Sequence, residues 1–459
     1  MSTVPDTTTP DTGPRLKRAL GLWDLVLYGI IVIQPTAPMP IFGVIMDKAH
    51  GHAVTTIMLA MVAMLFTAIS YGRMAAVYPS AGSAFTYVGR EIHPALGYVT
   101  GWSMAMDYMI NPLICTIWCS QAVIQDPLLS KALPAIPYWG WAAFFALLFT
   151  GLNLRGIKSS ARTNSVLAAG MGVVIVIFLL VVIRYIFGLP AQAASFYTRP
   201  FYDPHTFTAH RVLTGTSLAA LTYMGFDGIS TLSEEVRDPR KNILRATVLT
   251  CVVTGVLASI EVYAAQLVWP AGRGFGDQPE TAYAQVGNLI SGPWLATLVN
   301  LTLLIATIGS GMGSQLGAGR LLYGMGRGNA LPKKFFGAIS RRTNIPRNNI
   351  LLVGGLCFLG AMTLTYDLGA QMLNFGAFIA FMGVNAAAFT RYWLRAERRG
   401  WTDFASPVAG FVFCLIIFLS LQPPAKIWGA TWMGLGILYG AIRTKGFRSA
   451  LVSFDVPTE

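Results

Sequence analysis

The chain has 459 residues, of which 54% are hydrophobic and 12% charged, and its formal net charge is +13. A water-soluble domain carries about twice that fraction of charged residues, so the composition excludes an ordinary soluble protein. Apolar runs of about 18 residues or more recur along the whole length, which predicts an all-α integral membrane protein. No cofactor or metal site is expected, because neither the five cysteines nor the five histidines show a clear metal-ligand spacing.

Twelve transmembrane helices are predicted after a short disordered cytoplasmic tail at residues 1–18, which is rich in Thr, Pro and Asp. The spans cover about 20–46, 53–74, 95–124, 138–154, 164–187, 211–235, 244–268, 292–320, 350–366, 368–390, 404–422 and 425–443. Residues 19–400 are predicted to form one core, with helices 1–5 at about 20–187 and helices 6–10 at about 211–390. Helices 11 and 12 lie within 401–445, and a cytoplasmic tail follows at 446–459.

The first span is interrupted by prolines. Residues 29–40 read Gly-Ile-Ile-Val-Ile-Gln-Pro-Thr-Ala-Pro-Met-Pro, so Pro35, Pro38 and Pro40 remove backbone donors and clash with preceding carbonyl groups. Unpaired backbone at membrane depth is tolerated only where it lines a cavity inside the protein. The break therefore predicts a ligand site part of the way across the membrane.

A second interruption is predicted in the sixth span, at the position that an inverted repeat requires. Within residues 222–235, Gly225 and Gly228 flank Asp227 in mid-span, where glycine weakens a helix. The alternative is that these glycines serve close helix packing, as small residues often do in membranes. Two matched breaks one repeat apart favour the interrupted helix.

The basic residues are distributed asymmetrically across these spans. On the side of the two termini lie 26 lysines and arginines, and 7 lie on the other side. This bias places both termini in the cytoplasm of a multi-pass protein of the cytoplasmic (inner) membrane. The positive charge is therefore a topology signal, with the anionic leaflet of the lipid bilayer as its partner and not nucleic acid.

Several motifs resemble those of the amino acid–polyamine–organocation (APC) transporter superfamily. They lie at 78–92 (Tyr-Pro-Ser-Ala-Gly and onward), at 225–227 with 234–235 and 238–240, and at 320–332. The resemblance is closest to the bacterial putrescine importer branch, in the stretches 65–72, 101–103, 107–108, 231–235 and 374–377. It implies a five-plus-five inverted-repeat core with broken helices 1 and 6, two additional C-terminal helices, and secondary transport by alternating access.

The resemblance also indicates what the first break can bind. In amino-acid members, backbone N–H groups of an unwound Gly-Ser-Gly receive the substrate carboxylate, and the matching residues here are Ile33, Gln34 and Pro35. Pro35 has no N–H to donate, as in the putrescine branch, so a carboxylate should be poorly bound. A cation needs the opposite partners, carboxylates and unwound carbonyl groups.

Three acidic residues, Asp107, Asp227 and Glu261, lie deep in predicted spans, where ionisable groups mark functional sites. Asp107 is predicted to receive an ammonium group, with Tyr108 and Asn111 as polar neighbours; alternatively it is a structural acid that ties helix 3 to helix 1 or 8. Asp227 either caps N–H groups of the break or contacts substrate. Glu261 either stays neutral, carries a coupling proton, or attracts cations as a solvated residue near the outer mouth.

The predicted substrate-binding residues lie at the two breaks and on helix 3. They are Ile33, Gln34, Pro35, Thr36, Ala37, Asp107, Tyr108, Asn111, Tyr223, Met224, Gly225, Phe226 and Asp227. Tyr223 and Phe226 are expected to offer aromatic faces to a cation. Glu261 and Asp107 are the candidates for proton coupling.

Two positions depart from the pattern of the relatives. Met171 stands where many proton-coupled relatives have a lysine in helix 5, and Pro40 stands where the putrescine importer branch has an acid. The partner of a diamine's second ammonium group therefore stays open. Ser310 and Ser314 either contribute to a sodium site or serve helix packing.

The sequence thus predicts a proton-coupled importer of a small organic cation, a polyamine such as putrescine or another amine, acting as a monomer or homodimer. An amino-acid permease or exchanger of the same superfamily is the alternative. An enzyme is not predicted, because the chain contains neither a His-Glu-x-x-His nor a Gly-x-Ser-x-Gly pattern.

Overall fold

A computed structural model describes residues 20–78, 83–133, 135–155, 161–270, 272–277, 279–327, 331–340 and 345–446. The predicted tail at 1–18, most of the predicted tail at 446–459 and residues 79–82 of the first superfamily motif lie outside this set. Within it the chain is helical and forms no strand; its β-type contact is an isolated bridge between Leu20 and Val236. The prediction of an all-α protein is confirmed for these residues.

The helices up to residue 200 are α1 (Leu22–Ile33), α2 (Phe42–Lys48), α3 (Ala53–Val77), α4 (Ser83–Glu91), α5 (Pro94–Gln125), α6 (Leu129–Ala132), α7 (Tyr138–Leu154), α8 (Ala161–Phe187) and α9 (Ala194–Thr198). Those beyond it are α10 (Ala209–Ala219), α11 (Pro239–Val268), α12 (Ala282–Ser291), α13 (Pro293–Arg327), α14 (Lys333–Phe336), α15 (Arg347–Thr363), α16 (Tyr366–Phe389), α17 (Trp401–Leu419) and α18 (Pro423–Arg443). The 3₁₀ segments Ala220–Tyr223, Phe226–Glu235 and Pro279–Thr281 and the π-helical turn Thr390–Leu394 lie between them.

Six helical segments of the described chain are long and apolar enough to cross a membrane. They are Ala53–Val77, Ser165–Phe187, Lys241–Val268, Pro293–Gly326, Tyr366–Leu394 and Trp401–Leu419. Each agrees with a predicted span to within several residues. The other predicted spans correspond to α5, α7, α15 and α18 and to two interrupted segments, which are shorter or more polar.

Local sequence explains where these helices begin. Proline is the first residue of α5, α11 and α18, a position where its missing N–H costs nothing and its fixed φ suits the helix. The connection between α15 and α16 is two residues long, and the Thr365 hydroxyl accepts a hydrogen bond from the Leu368 N–H at 3.2 Å. The predicted spans 350–366 and 368–390 likewise leave a single residue between them.

Helix α5 runs through the middle of the bundle, packed against α13 and α16 and also against α4, α7 and α15. It approaches α16 closely at Gly376, whose carbonyl oxygen accepts a hydrogen bond from the Ser103 hydroxyl. A Cβ on Gly376 would overlap the backbone carbonyl oxygen of Ser103 at 2.6 Å, and it would also lie 3.2 Å from the backbone nitrogen of Asp107. The packing therefore carries Asp107 into the centre of the protein.

An ion-paired network closes the end of the bundle where α3, α4 and α16 terminate. The side chain of Glu91 is 2% exposed and accepts hydrogen bonds from Tyr78 Oη at 2.7 Å, from Arg391 at 2.7 Å and from Arg395 at 3.1 Å. Burial and the bond to Glu91 raise the pKa of Tyr78 above its ordinary value. Arg73 also pairs with Asp403 at 2.7 Å, so three ion pairs hold these helix ends together.

Candidate functional site

The first membrane segment is interrupted after Ile33. Helix α1 ends there, Gln34 takes the conformation φ 73°, ψ 130°, and turns lead through residues 35–41 to α2. A positive φ is uncommon for a residue other than glycine and places Gln34 outside any helix. The predicted break of the first span is confirmed, and prolines at 35, 38 and 40 explain why the helix does not continue.

Backbone donors are scarce at this break. The N–H groups of Gln34, Ala37 and Met39 donate to the carbonyl oxygens of Ile30, Gln34 and Thr36, at 2.9, 3.1 and 3.1 Å. The three prolines have no N–H. Across residues 34–40, all of which the structure describes, the Thr36 amide is the one N–H without an acceptor. The break therefore offers a carboxylate at most one main-chain donor, whereas an anion site needs several.

The side chains of the break contact two neighbouring helices. Gln34 Nε2 donates to the Ala306 carbonyl oxygen in α13 at 2.7 Å. The hydroxyl of Thr36, which is buried, lies 3.9 Å from the Met171 sulfur in α8. Met171 thus lies directly beside the break, at the place where the resemblance indicates a lysine in many relatives.

The second interruption lies between α10 and residue 235. Helix α10 gives way to a 3₁₀ turn at Ala220–Tyr223, Met224 is extended, and Gly225 has φ 112°, a left-handed conformation that favours glycine. The predicted break of the sixth span is confirmed. Gly225 lies against the last turn of α1, since a Cβ built on it would be 3.0 Å from Val32 Cγ1. The two breaks therefore meet.

Two acidic side chains converge beside these breaks. Asp107 of α5 and Asp227 of the second break are close enough for their charges to interact, and both also interact with the Tyr108 hydroxyl. Each aspartate keeps part of its surface accessible although it lies within the bundle. The backbone N–H groups of Gly225 and Gly228 lie within reach of the Asp227 carboxylate, which agrees with the capping interpretation.

Tyr71 of α3 belongs to the same cluster and was not among the predicted residues. Its hydroxyl is buried, has no hydrogen-bond partner in the described part of the chain, and interacts electrostatically with Asp227 and Asp107. Its ring packs edge-to-face on Phe226 at 5.5 Å between centroids and on Phe381 at 5.8 Å. The signal in the sequence was a phenol inside an apolar span, in the stretch 65–72 that carries the family resemblance.

Two predicted residues point their polar groups away from the acids. Asn111 donates to the Ser314 hydroxyl in α13 at 2.9 Å, and its amide oxygen accepts from Cys115 at 3.5 Å. The Tyr223 hydroxyl donates to the Ile57 carbonyl oxygen in α3 at 2.9 Å and is fully buried. Both residues thus tie helices together around the site. Ser314 also serves as an interhelical partner, which favours its packing role.

Glu261 of α11 is separate from this cluster. Its side chain is 0% exposed, and neither carboxyl oxygen has a hydrogen-bond partner among the residues that the structure describes. The alternative of a solvated attractor at the outer mouth is therefore wrong for this structure, because water does not reach the group. Among the described residues no group of three or more His, Cys, Asp or Glu side chains is placed to hold a metal ion.

A helical protein with long apolar helices and two interrupted segments that meet beside acids inside the bundle has the architecture of a multi-pass membrane transporter. The amino acid permease family profile matches residues 40–422, and the chain belongs to this family of the APC superfamily. The protein is accordingly a transporter and not an enzyme.

Individual relatives differ in what their names say they carry. The chain is 31% identical to the low-affinity putrescine importer PlaP of Escherichia coli K12, over 97% of this chain and 98% of that protein. It is 26% identical to the branched-chain amino acid permease BcaP of Lactococcus lactis, over 95% of this chain and 97% of that protein. It is 23% identical to the cationic amino acid transporter 3 of Arabidopsis thaliana, over 80% of this chain and 61% of that protein.

Proposed function

We propose that this transporter imports a small organic cation, a polyamine such as putrescine or another amine, and that protons drive the uptake. The observation that carries the proposal is the pairing of Asp107 with Asp227 beside a break that is poor in N–H donors. Two neighbouring carboxylates repel each other unless a cation or a proton lies between them. A protonated amine between the two carboxylates neutralises both of them.

The polarity of the break supports the same substrate class. Helix α1 ends at Ile33, and the carbonyl end of a helix carries a partial negative charge. Because Pro35 has no N–H, the carbonyl of Ile31 lacks its usual partner four residues on. Unpaired carbonyl oxygens at a half-helix end attract cations. The relative named as a putrescine importer agrees with this class.

The binding site in this proposal has an inner and an outer set of residues. The substrate contacts Asp107, Tyr108 and Asp227, with Tyr71 beside them, and the backbone of the breaks at Ile33–Ala37 and Met224–Phe226. Asn111 and Tyr223 hold the surrounding helices in position. Both acids bind the same ammonium group, so the site accepts a monoamine as well as one end of a diamine.

The proposal includes the membrane arrangement. Twelve spans form a five-plus-five inverted repeat at about 20–187 and 211–390, followed by two C-terminal helices within 401–445. The protein lies in the cytoplasmic membrane with both termini in the cytoplasm, as a monomer or homodimer in the lipid bilayer. Alternating access moves the two interrupted segments against the other helices.

An amino-acid permease is the second candidate. The free Thr36 amide is the observation that favours it, since one N–H remains to meet a carboxylate, and a relative is named as a branched-chain amino acid permease. A single donor is a weak anion site beside two carboxylates that repel an anion.

Counterflow in proteoliposomes distinguishes the two candidates. Vesicles loaded with unlabelled putrescine should accumulate labelled putrescine, and external amines should compete. Matched amino acids, in which a carboxylate is added to the same amine, should compete at least tenfold less well. Equal competition by leucine or another neutral amino acid would overturn the organic-cation proposal in favour of the permease.

A further inference from the structure

A buried carboxyl group without any partner lies in α11, away from the proposed amine site. Both oxygens of Glu261 are enclosed and unbonded, and the nearby Tyr283 hydroxyl donates to the Glu261 carbonyl oxygen at 3.0 Å and not to its carboxyl group. An ionised carboxylate here would have neither a hydrogen bond nor a counter-charge. The enclosed state therefore accommodates the neutral acid, which holds one proton.

Tyr283, whose hydroxyl donates to the Glu261 carbonyl oxygen, packs among aromatic rings that include one from the second half of the interrupted first segment. The ring of Tyr283 lies 4.6 Å from that of Phe178 in α8 and 5.7 Å from that of Phe42 in α2, between centroids. Helix α2 fits tightly against the start of α12, because a Cβ on Gly43 would overlap the Pro279 carbonyl group and the Ala282 side chain. Movement of α2 would consequently displace Tyr283, the ionisable neighbour of Glu261.

The described part of the surroundings contains no counter-charge for Glu261. The elements packed against α11 are α1, α3, α8, α12 and the 3₁₀ segments Ala220–Tyr223 and Phe226–Glu235. Among the side chains that the structure describes on them, Tyr283 is the ionisable group that interacts with Glu261. The protonation of Glu261 is thus governed by access of water and not by an ion pair.

The carboxyl group is also distant from the amine site along its helix. Thr250 of α11 contacts Gly29 of α1, because a Cβ on Gly29 would overlap the Thr250 side chain. Further along α11, Gly255 lies beside the second break, because a Cβ on it would be 3.0 Å from the Tyr223 hydroxyl oxygen. Glu261 follows Gly255 by six residues, which is about 9 Å along a helix axis. An amine held by Asp107 and Asp227 and a proton held by Glu261 therefore occupy different places.

We propose that Glu261 is the group that carries the coupled proton, and that α2 controls its access to water. The inference rests on the proposed proton-coupled function. With α2 displaced, the Glu261 carboxylate accepts a proton from water on that side. Closure of α2 encloses the neutral acid, and the proton returns to water when the rearranged protein opens Glu261 to the opposite side. One proton then crosses with each cycle, and Asp107 is left to the amine.

The test compares Glu261→Gln with Asp47→Asn in proteoliposomes. Asp47 is a matched control because it is an acid of α2 whose side chain is 67% exposed. Glu261→Gln should keep putrescine counterflow within about twofold of wild type and lose accumulation driven by a pH gradient, a loss of at least tenfold. Asp47→Asn should keep both. Accumulation by Glu261→Gln at the wild-type level would overturn the inference.

A second measurement does not depend on transport. The infrared spectrum of the wild-type protein should contain a protonated-carboxyl band that is absent from Glu261→Gln and from Glu261→Met and present in Asp47→Asn. An identical band in all four proteins would contradict the inference. If the wild type shows no putrescine counterflow, the proposed function itself fails, and the spectrum still decides whether Glu261 holds a proton.

Discussion

Gly225, the left-handed residue of the second break, lies against Val32 in the last turn of α1, where a Cβ would come within 3.0 Å of Val32 Cγ1. The contact joins the two interrupted segments at the level of the acidic cluster. Only a residue without a side chain combines this backbone conformation with this proximity.

Substituting Gly225 tests whether the contact between the two breaks is needed for stability and transport. Gly225→Ala should destabilise the protein by about 1–2 kcal/mol through backbone strain and reduce putrescine counterflow. Gly228→Ala is the control, because a Cβ there would lie at an ordinary 3.8 Å from the same atom. Thermal unfolding in detergent and counterflow are the measurements. Equal behaviour of the two variants would show that the contact is unimportant.

Asp107 should be essential for uptake. Asp107→Asn removes the negative charge and should reduce putrescine counterflow by more than tenfold with normal expression, since an amide cannot neutralise an ammonium group. The exposed acid Asp47 provides the control variant Asp47→Asn. Wild-type counterflow by Asp107→Asn would remove Asp107 from the substrate site.

The hydroxyl of Tyr71 should contribute to substrate binding and not to the stability of the fold. Tyr71→Phe removes a group that has no partner, so the thermal midpoint should not fall, whereas the KM for putrescine should rise several-fold. Tyr223→Phe should behave in the opposite way, because it breaks the bond to Ile57 at a cost of about 1 kcal/mol. A stability loss in Tyr71→Phe with unchanged KM would assign Tyr71 a structural role.

The proline of the first break should exclude carboxylates. Pro35→Gly and Pro35→Ala each restore an N–H beside Thr36, and both should increase competition by amino acids in the counterflow assay. If the glycine variant alone responds, chain flexibility and not the donor is the cause. Unchanged selectivity in both variants would refute the donor argument.

The ion-paired network around Glu91 should contribute to stability. Glu91→Gln loses charge-assisted bonds to Arg391 and Arg395 at a nearly buried carboxylate and should lower stability by about 1–3 kcal/mol. Lys241→Gln, which breaks an exposed pair with Asp238, should change the thermal midpoint little. Comparable midpoints for the two variants would contradict this assignment.

The sequence predicted the backbone of the site better than its side chains. Prolines at 35, 38 and 40 and Gly225 dictate local conformation, so both breaks could be located from residue type alone. Side-chain partners depend on the rotation of each packed helix. That rotation turns Asn111 toward Ser314 and Tyr223 toward Ile57, and it brings Tyr71 to the acids, none of which the spacing of residues within one helix determines.

Glu261 is another residue that the sequence identified without indicating its surroundings. Its place in an apolar span identified it as an unusual group, but the sequence left open whether it stays neutral, carries a coupling proton or attracts cations as a solvated residue. Its neighbour Tyr283 lies on another helix and is itself packed against Phe178 and Phe42 of two further helices. Such long-range packing decides whether water reaches a carboxyl group, and therefore what that group can do.

A cryo-electron microscopy structure with bound putrescine would show directly whether Asp107 binds the amine. We predict that an ammonium nitrogen lies within hydrogen-bonding distance of the Asp107 carboxylate, beside the break that follows Ile33, with Asp227 and Tyr71 around it. An amine located elsewhere, or an amino acid whose carboxylate is bound by main-chain amides of residues 34–37, would contradict it.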